Sequence, residues 1–469
     1  MFIGREHELA TIKRHLKDRS KAQLLVIYGR RRIGKSRLIR EALRSEKKAL
    51  FFEGVEGEDS RAQVAQFTLD LAQQTGRVRL AARSWREAFQ GLGELIAEGR
   101  WVIVFDEFPW MGAGRTRIVS ELKLHWDRWS STNEELALIL CGSVASFMTR
   151  HVVHSKALHN RKTMEMCLGP LSPRESGCFI AQRGLREKAQ LHMCLGGVPK
   201  YLEQIDPRES LEKNLNRLVF TANGFFIEEF ETLFKEQFRS PRVYEEVIRA
   251  LAQAPGGPAD LARRVGSVRG GGFQEQLENL QRAQFIRSYY ALSPHKGRRR
   301  RTLRYKLIDP FLSFYFRYIH DHRDTIRHNR RENLFRSIAG PTINAYFGYA
   351  WEHLVEDALG DLLPKMGISL GDVLQMGPYF QQTSAHGEGL QIDWLVLRRD
   401  HVWTVIECKY TSRPLGMEIL SEVERKIERL GVPPEVSVER VLISASGVTP
   451  AVAKRGVFAH VLTLKDIVG

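Results

Sequence analysis

The chain has 469 residues, which is about three domains at roughly 150 residues each. It is 43% hydrophobic and 27% charged, a composition that suits packed globular domains and excludes a disordered chain. Its charge balance is 71 − 55 = +16. Between Glu236 and Phe335 there are 20 Lys/Arg against 10 Asp/Glu, a local surplus of the kind phosphate neutralisation requires.

The apolar runs, such as Leu24 to Tyr28, Trp101 to Phe105 and Leu136 to Cys141, are strand-sized. None approaches the about 20 residues of a spanning helix, so no membrane partner is expected. The opening MFIGREHELA is charged too early for a secretory signal peptide. Five cysteines, at 141, 167, 178, 194 and 408, form no CxxC pair, which argues against a disulfide framework or structural zinc and fits a reducing cytoplasm.

In chain order, residues 1–235 alternate strand-like runs (24–28, 49–53, 101–105, 136–141) with helical patterns, predicting a parallel α/β domain with a helical lid. Residues 236–335 are mostly helical with one strand pair around a basic turn. Residues 336–469 predict a helix, a hairpin, another helix and a short strand, a small α/β domain. No internal repeat or long low-complexity linker separates these blocks.

The run Leu24 to Tyr28 leads into Gly29-Arg30-Arg31-Arg32-Ile33-Gly34-Lys35-Ser36, then a helical pattern opened by Arg37. This is GxxxxGK[ST] in strand–loop–helix context, a phosphate-binding loop. Glycines let backbone N–H groups curl around phosphate oxygens at the positive end of the next helix. Residues 29–37 are therefore expected to hold ATP, with Lys35 reaching the β- and γ-phosphates and Ser36 holding Mg²⁺. Trp101 to Phe105 ends in Asp106-Glu107, an acidic pair placed to hold the Mg²⁺ shell (Asp106) and to orient the attacking water (Glu107).

Four smaller features accompany these. Phe2-Ile3-Gly4-Arg5-Glu6 precedes the first helix, and Leu136 to Cys141 ends in Gly142-Ser143, where a polar side chain can sense the γ-phosphate. Gly196-Gly197-Val198-Pro199-Lys200-Tyr201-Leu202 is a tight turn entering a helix, and Arg161 is a candidate arginine finger. Together these motifs resemble the archaeal-type P-loop ATPases, which are related to the AAA+ and STAND groups. The resemblance implies that Gly4, Arg5 and Pro199 flank the adenine. Where that family shows Gly-Arg, this chain has Asn160-Arg161. A finger acting in trans would make the active form a homo-oligomer.

Within the basic block, helical patterns at 242–251, 258–266 and from about 272 precede two strand-like runs, 284–290 and 303–307. Helix, helix, helix and basic hairpin is a winged helix-turn-helix pattern. The turn carries Arg298-Arg299-Arg300-Arg301, expected to contact the phosphates or minor groove of double-stranded DNA. Glu275 and Glu278 on the third helix make it poor chemistry for pressing onto DNA.

In the last block Leu390 to Leu397 and Val402 to Lys409 flank a short turn. A hairpin symmetric about Asp400 sets Asp393 opposite Glu407, because 393 + 407 = 2 × 400, with Lys409 two along on the same face. Opposed carboxylates repel, so the arrangement calls for a cation. A divalent metal on Asp393, Glu407 and the Ile/Cys backbone carbonyl between them would supply it, and Lys409 would stabilise charge developing at phosphorus. The spacing D-x13-E-x-K resembles the PD-(D/E)XK nuclease core, whose additional helix glutamate is offered here by Glu352, with Glu356 one turn on. The other readings are a surface ion-pair cluster, or a nuclease-like fold that only binds nucleic acid.

The expected fold class is α/β: a P-loop NTPase parallel sheet, a winged helix-turn-helix, then a small PD-(D/E)XK nuclease-like domain. The expected function is ATP hydrolysis coupled to DNA binding or cleavage, the latter by Glu352, Asp393, Glu407 and Lys409. The alternative is a nucleotide-switched DNA-binding regulator with a silent nuclease-like domain.

Overall fold

The computed structural model describes the chain except residues 1, 113–117, 144–146, 157, 239, 267–270, 291, 293–302, 329–332 and 382–388. Two compact units emerge: Met1–Pro170 with Arg282–Gln284, and Leu171–Gln281 with Phe285–Gly469. The expected boundaries at 235 and 335 both fall inside the second unit.

The first unit is built on a parallel five-stranded sheet in the order β2-β3-β4-β1-β5: β1 (Gln23–Tyr28), β2 (Ala49–Glu53), β3 (Val102–Asp106), β4 (Ala137–Gly142) and β5 (Met164–Cys167). The three central strands are near-continuous apolar runs and are buried almost throughout, as expected when helices cover both faces. Helix Trp85–Leu95 shows how the cover is made. Its Trp85, Ala88, Phe89 and Leu92 recur at helical spacing and are all buried, while Ser84 caps its first turn by accepting from the Glu87 N–H. The sequence reading found four of these strands. The fifth, Met-Glu-Met-Cys, is a short edge strand with only Met164 buried, so no apolar run marks it.

In the second unit, helices Pro241–Gln253, Pro258–Val265 and Gly271–Arg282 precede the antiparallel pair β6 (Ile286–Tyr290) and β7 (Leu303–Leu307), in the winged-helix order. A mixed sheet follows in the order β12-β11-β10-β9-β8: β8 (Val373–Gln381), β9 (Leu390–Arg398), β10 (Val402–Lys409), β11 (Ser437–Ser444) and β12 (His460–Leu462). Strands β8, β9 and β10 are antiparallel neighbours, whereas β10, β11 and β12 run parallel. The 23-residue helix Ile343–Lys365 is anchored to this sheet by Trp351, fully buried, whose indole N–H donates to the Ile443 carbonyl at 3.3 Å.

The hairpin β6–β7 is joined to the last sheet. Leu292 is buried in one apolar cluster with Tyr379, Leu390, Ile392 and Trp403. Glu356 of the long helix accepts from Arg287 at 2.7 Å and from Lys306 at 2.5 Å. No described helix is long and apolar enough to cross a membrane, and all five cysteines are free.

Candidate functional site

The phosphate-loop site lies at the carboxyl ends of β1, β3 and β4. Parallel register sets Tyr28 beside Gly142 and Phe105 beside Leu140, so the loop after β1, the acids after β3 and the Gly-Ser after β4 leave the sheet along one edge. Two glycines are dictated by geometry. A Cβ at Gly29 would lie 2.4 Å from the Leu168 carbonyl oxygen, and Gly34 adopts φ 87° to turn the chain into helix Lys35–Ala42. Lys35 is buried and folds back over its own loop, its ammonium donating to the Gly29 and Arg30 carbonyls at 3.1 and 3.0 Å. That helix has no acidic residue in its first turn, so its positive end meets no competing carboxylate there. Ser36 stands beside Lys35 at the helix start, half-buried, with Arg37 exposed beyond it.

Asp106 is buried at the end of β3 and accepts the Glu107 backbone N–H at 2.9 Å. Glu107 holds φ 45°, a left-handed conformation uncommon for a side-chain-bearing residue, and the Ser143 hydroxyl donates to its carboxylate at 2.6 Å. The polar residue after β4 therefore meets the second acid after β3 directly. The sequence reading missed a third acid, Glu53, which register places beside Asp106. Burial, then repulsion from Asp106 and Glu107, raises its carboxyl pKa. Only strand register could have found it.

Arg5 is buried with φ 64°, following Gly4 at φ 69°. Its guanidinium donates to Glu8 at 2.9 Å, to the Gly169 carbonyl at 2.5 Å and to the Ile33 carbonyl of the phosphate loop at 3.4 Å. Arg31 pairs with Glu56 at 3.0 Å. Arg30 is buried, whereas Arg32 is half-buried at φ 69°. Arg161 is forked onto Asp127, with one of the two bonds at 2.9 Å. Pro199 belongs to the second unit, at the first position of helix Pro199–Leu202. There a Cβ at Gly197 would lie 1.9 Å from the Leu171 carbonyl oxygen. The four arginines Arg298, Arg299, Arg300 and Arg301 lie outside the described residues.

The second unit gathers a charged cluster on β9 and β10. The ladder pairs Trp403 with Leu397 through Ile406 with Trp394, so the expected register holds and Asp393 comes next to Glu407. Asp393 is buried and accepts the Cys408 backbone N–H at 2.8 Å. Glu407 is 1% exposed, and Lys409 lies 2.9 Å from its Oε1. Glu352 approaches from helix Ile343–Lys365. Burial first, then the charges of Asp393 and Glu407, raises its pKa from 4.5 to about 7. Asp393 and Glu407 are raised as well, both chiefly by burial.

Two members of this cluster had no signal in local sequence. Lys426, on helix Glu418–Leu430, places its ammonium 2.6 and 2.7 Å from the two oxygens of Glu407. Glu422, one turn earlier, accepts from Lys409 at 2.7 Å and lies 3.5 Å from Lys426. The positive charge that opposed carboxylates call for thus comes, in part, from lysines. Glu356, the second acid considered on the long helix, is engaged by Arg287 and Lys306. Among the described residues no group of three or more His, Cys, Asp or Glu side chains is placed to hold a metal ion.

Residues 2–205 match the family described as an ATPase domain predominantly from Archaea, and residues 315–427 match one described as archaeal and bacterial proteins of unknown function. An uncharacterized protein of Methanocaldococcus jannaschii is 26% identical over 366 residues, covering 77% of this chain and 78% of the relative. An uncharacterized ATP-binding protein of the same organism is 43% identical over 47 residues, 10% of this chain and 78% of that protein. Among solved structures, a Walker-type ATPase of Pyrococcus abyssi is similar with a TM-score of 0.49 and 21% identity, covering 67% of this chain and 96% of that one.

Proposed function

We propose that this chain, an archaeal-type ATPase by residues 2–205, is a DNA-acting enzyme in which ATP turnover serves a metal-dependent phosphodiester-cleaving centre in the second unit. On this reading Lys35 and the backbone of residues 29–34 bind the phosphates, and Glu107, steadied by Ser143, orients the attacking water. Ser36 and Asp106 would hold the Mg²⁺ that neutralises the phosphates. Gly4, Arg5 and Pro199 are assigned to the adenine by family resemblance. Arg5 also braces the phosphate loop through the Ile33 carbonyl.

One observation carries the cleavage reading. The hairpin register brings Asp393, Glu407 and Lys409 together without any appeal to family, and helix Ile343–Lys365 adds Glu352 to the same point. The donor set fits a hard divalent cation, since it offers carboxylate oxygens and too few positive charges to balance them. Asp393 and Glu407 would hold the cation, which when bound polarises a phosphate and lowers the pKa of water. Lys409, whose ammonium burial disfavours but whose bonds to Glu422 and Glu407 keep it firmly protonated, is placed to steady negative charge on phosphate. The basic block around β6 and β7, with Arg298 to Arg301 between these strands in the sequence, supplies the affinity for the DNA backbone.

The contacts of Lys426 favour a second reading, a nucleotide-switched DNA-binding regulator whose carboxylates are permanently neutralised by lysines. Linear and circular duplex DNA incubated with Mg²⁺ or Mn²⁺, with and without ATP, decides between them. Cleavage by the wild type that is lost in Asp393→Ala/Lys409→Ala supports the nuclease. Intact DNA in every lane, with binding retained, supports the switch.

A further inference from the structure

Glu407 is buried to 1% exposure, and both its oxygens are already engaged, by Lys426 at 2.6 and 2.7 Å and by Lys409 at 2.9 Å on Oε1. Three of the carboxylate's about four lone-pair sites are thus taken, and a cation at the remaining one would stand against the two ammoniums and be repelled by them, so it is held well only if one of these bonds gives way. Lys409 is the less able to leave, being held on its other side by Glu422 at 2.7 Å. Lys426 has a second acceptor: Glu422 lies one turn back on its own helix, with the Oε1 that also bonds Lys409 3.5 Å from the Lys426 ammonium, within reach of a side-chain rotation.

The charge count points the same way. Glu352, Asp393, Glu407 and Glu422 face Lys409 and Lys426, four acids against two ammoniums, so the cluster turns net negative as soon as more than two of the acids are ionised. One divalent cation closes that deficit. A purely structural ion pair would need no such deficit and no second acceptor for its lysine.

We propose that Lys426 is a displaceable counter-ion: it occupies Glu407 until a divalent cation claims that carboxylate, then moves to Glu422, and so sets how tightly the cation is held. Lys426 is thus a positioning residue acting through Glu407. This inference rests on the reading of Asp393 and Glu407 as metal ligands. Removing the ammonium frees Glu407 and adds a net negative charge, so Lys426→Met binds the cation more tightly. Lys426→Arg, whose planar fork matches a carboxylate in two parallel bonds, holds Glu407 harder and weakens the cation.

The test is Mn²⁺ binding to the full chain, stripped of metal and without nucleotide or DNA, followed by calorimetry and electron paramagnetic resonance. The binding lost in Asp393→Asn identifies this site. Expected is a dissociation constant about tenfold lower in Lys426→Met and about tenfold higher in Lys426→Arg, the scale of one charge-assisted bond. Melting curves establish that each variant is folded, and Lys426→Gln replaces Lys426→Met if the latter is not. An Asp393-dependent ion held equally or less tightly after Lys426 is removed overturns the counter-ion while leaving the metal reading intact. No Asp393-dependent ion in any variant overturns the metal reading, and the counter-ion with it. Binding that appears only once Lys426 is gone supports the counter-ion in its strongest form.

Discussion

The two charged sites of this molecule are held together by different means. At the phosphate loop the functional groups are fixed by backbone: Lys35 by two carbonyls, Asp106 by an adjacent N–H, Glu107 by a left-handed turn and one hydroxyl. In the second unit, charges hold charges. Glu407 depends on Lys409 and Lys426, both of which depend on Glu422, while burial and the charges of Asp393 and Glu407 weigh against an ionised Glu352. A site fixed by backbone keeps its frame when a ligand arrives, with Lys35 turning from its carbonyls to a phosphate, whereas a site of mutually compensating charges is poised to rearrange when a new charge enters.

That contrast can be broken at three places. The largest effect is expected from Lys35→Ala, which removes the ammonium proposed to bind the phosphates. Phosphate-release assays should show ATP turnover reduced by about 10²- to 10³-fold, with melting curves checking that the variant stays folded without the two bonds from Lys35 to loop carbonyls. Turnover near the wild-type value would remove the nucleotide site from the account.

Glu352→Gln probes the unbalanced charge. The folded chain raises this carboxyl's pKa from 4.5 to about 7, so it keeps a proton that the unfolded chain releases. Below the unfolded value both states are protonated and the group costs nothing. Between pH 4.5 and 7 its unfavourable contribution grows, and above 7 it is complete. In chelator-treated buffer Glu352→Gln should therefore stabilise by about 2 kcal/mol at pH 8 and by almost nothing at pH 4. Equal melting shifts at both pH values would show that burial and repulsion are not what this residue endures.

The smallest effect is expected at Arg161, which Asp127 grips from both sides of the fork. Arg161→Ala should lower stability by about 0.5–1 kcal/mol, as for other partly exposed ion pairs, and leave ATP turnover within a factor of two. A loss of two orders of magnitude would instead make it the finger that its position in the sequence allows.

How much of this was legible follows from the same contrast. The phosphate loop is eight contiguous residues after an apolar strand, and Asp106-Glu107 closes another, so local pattern located both. The convergence of Asp393, Glu407 and Lys409 was legible because a tight hairpin fixes its own register, and the ladder from Trp403 to Ile406 keeps the predicted sum. Lys426, Glu422 and Glu53 were not, since a side chain on a following helix or a neighbouring parallel strand is placed by packing rather than by spacing. Strand β8 escaped for a different reason: burial alternates along Val373–Gln381, but Leu374 and Met376 lie on the exposed face and Gly377-Pro378 interrupts the run, so the apolar pattern does not follow the strand. β5, with its single buried residue, offered no apolar run to read.

The central claim is that the two sites serve one task, and a single comparison tests it most directly. Wild type and Lys35→Ala are incubated with duplex DNA, Mn²⁺ and ATP after both are shown to bind Mn²⁺ at Asp393 equally. Cleavage by the wild type is expected, with little or none by Lys35→Ala. Cleavage by Lys35→Ala at the wild-type rate would contradict it, leaving two independent activities on one chain.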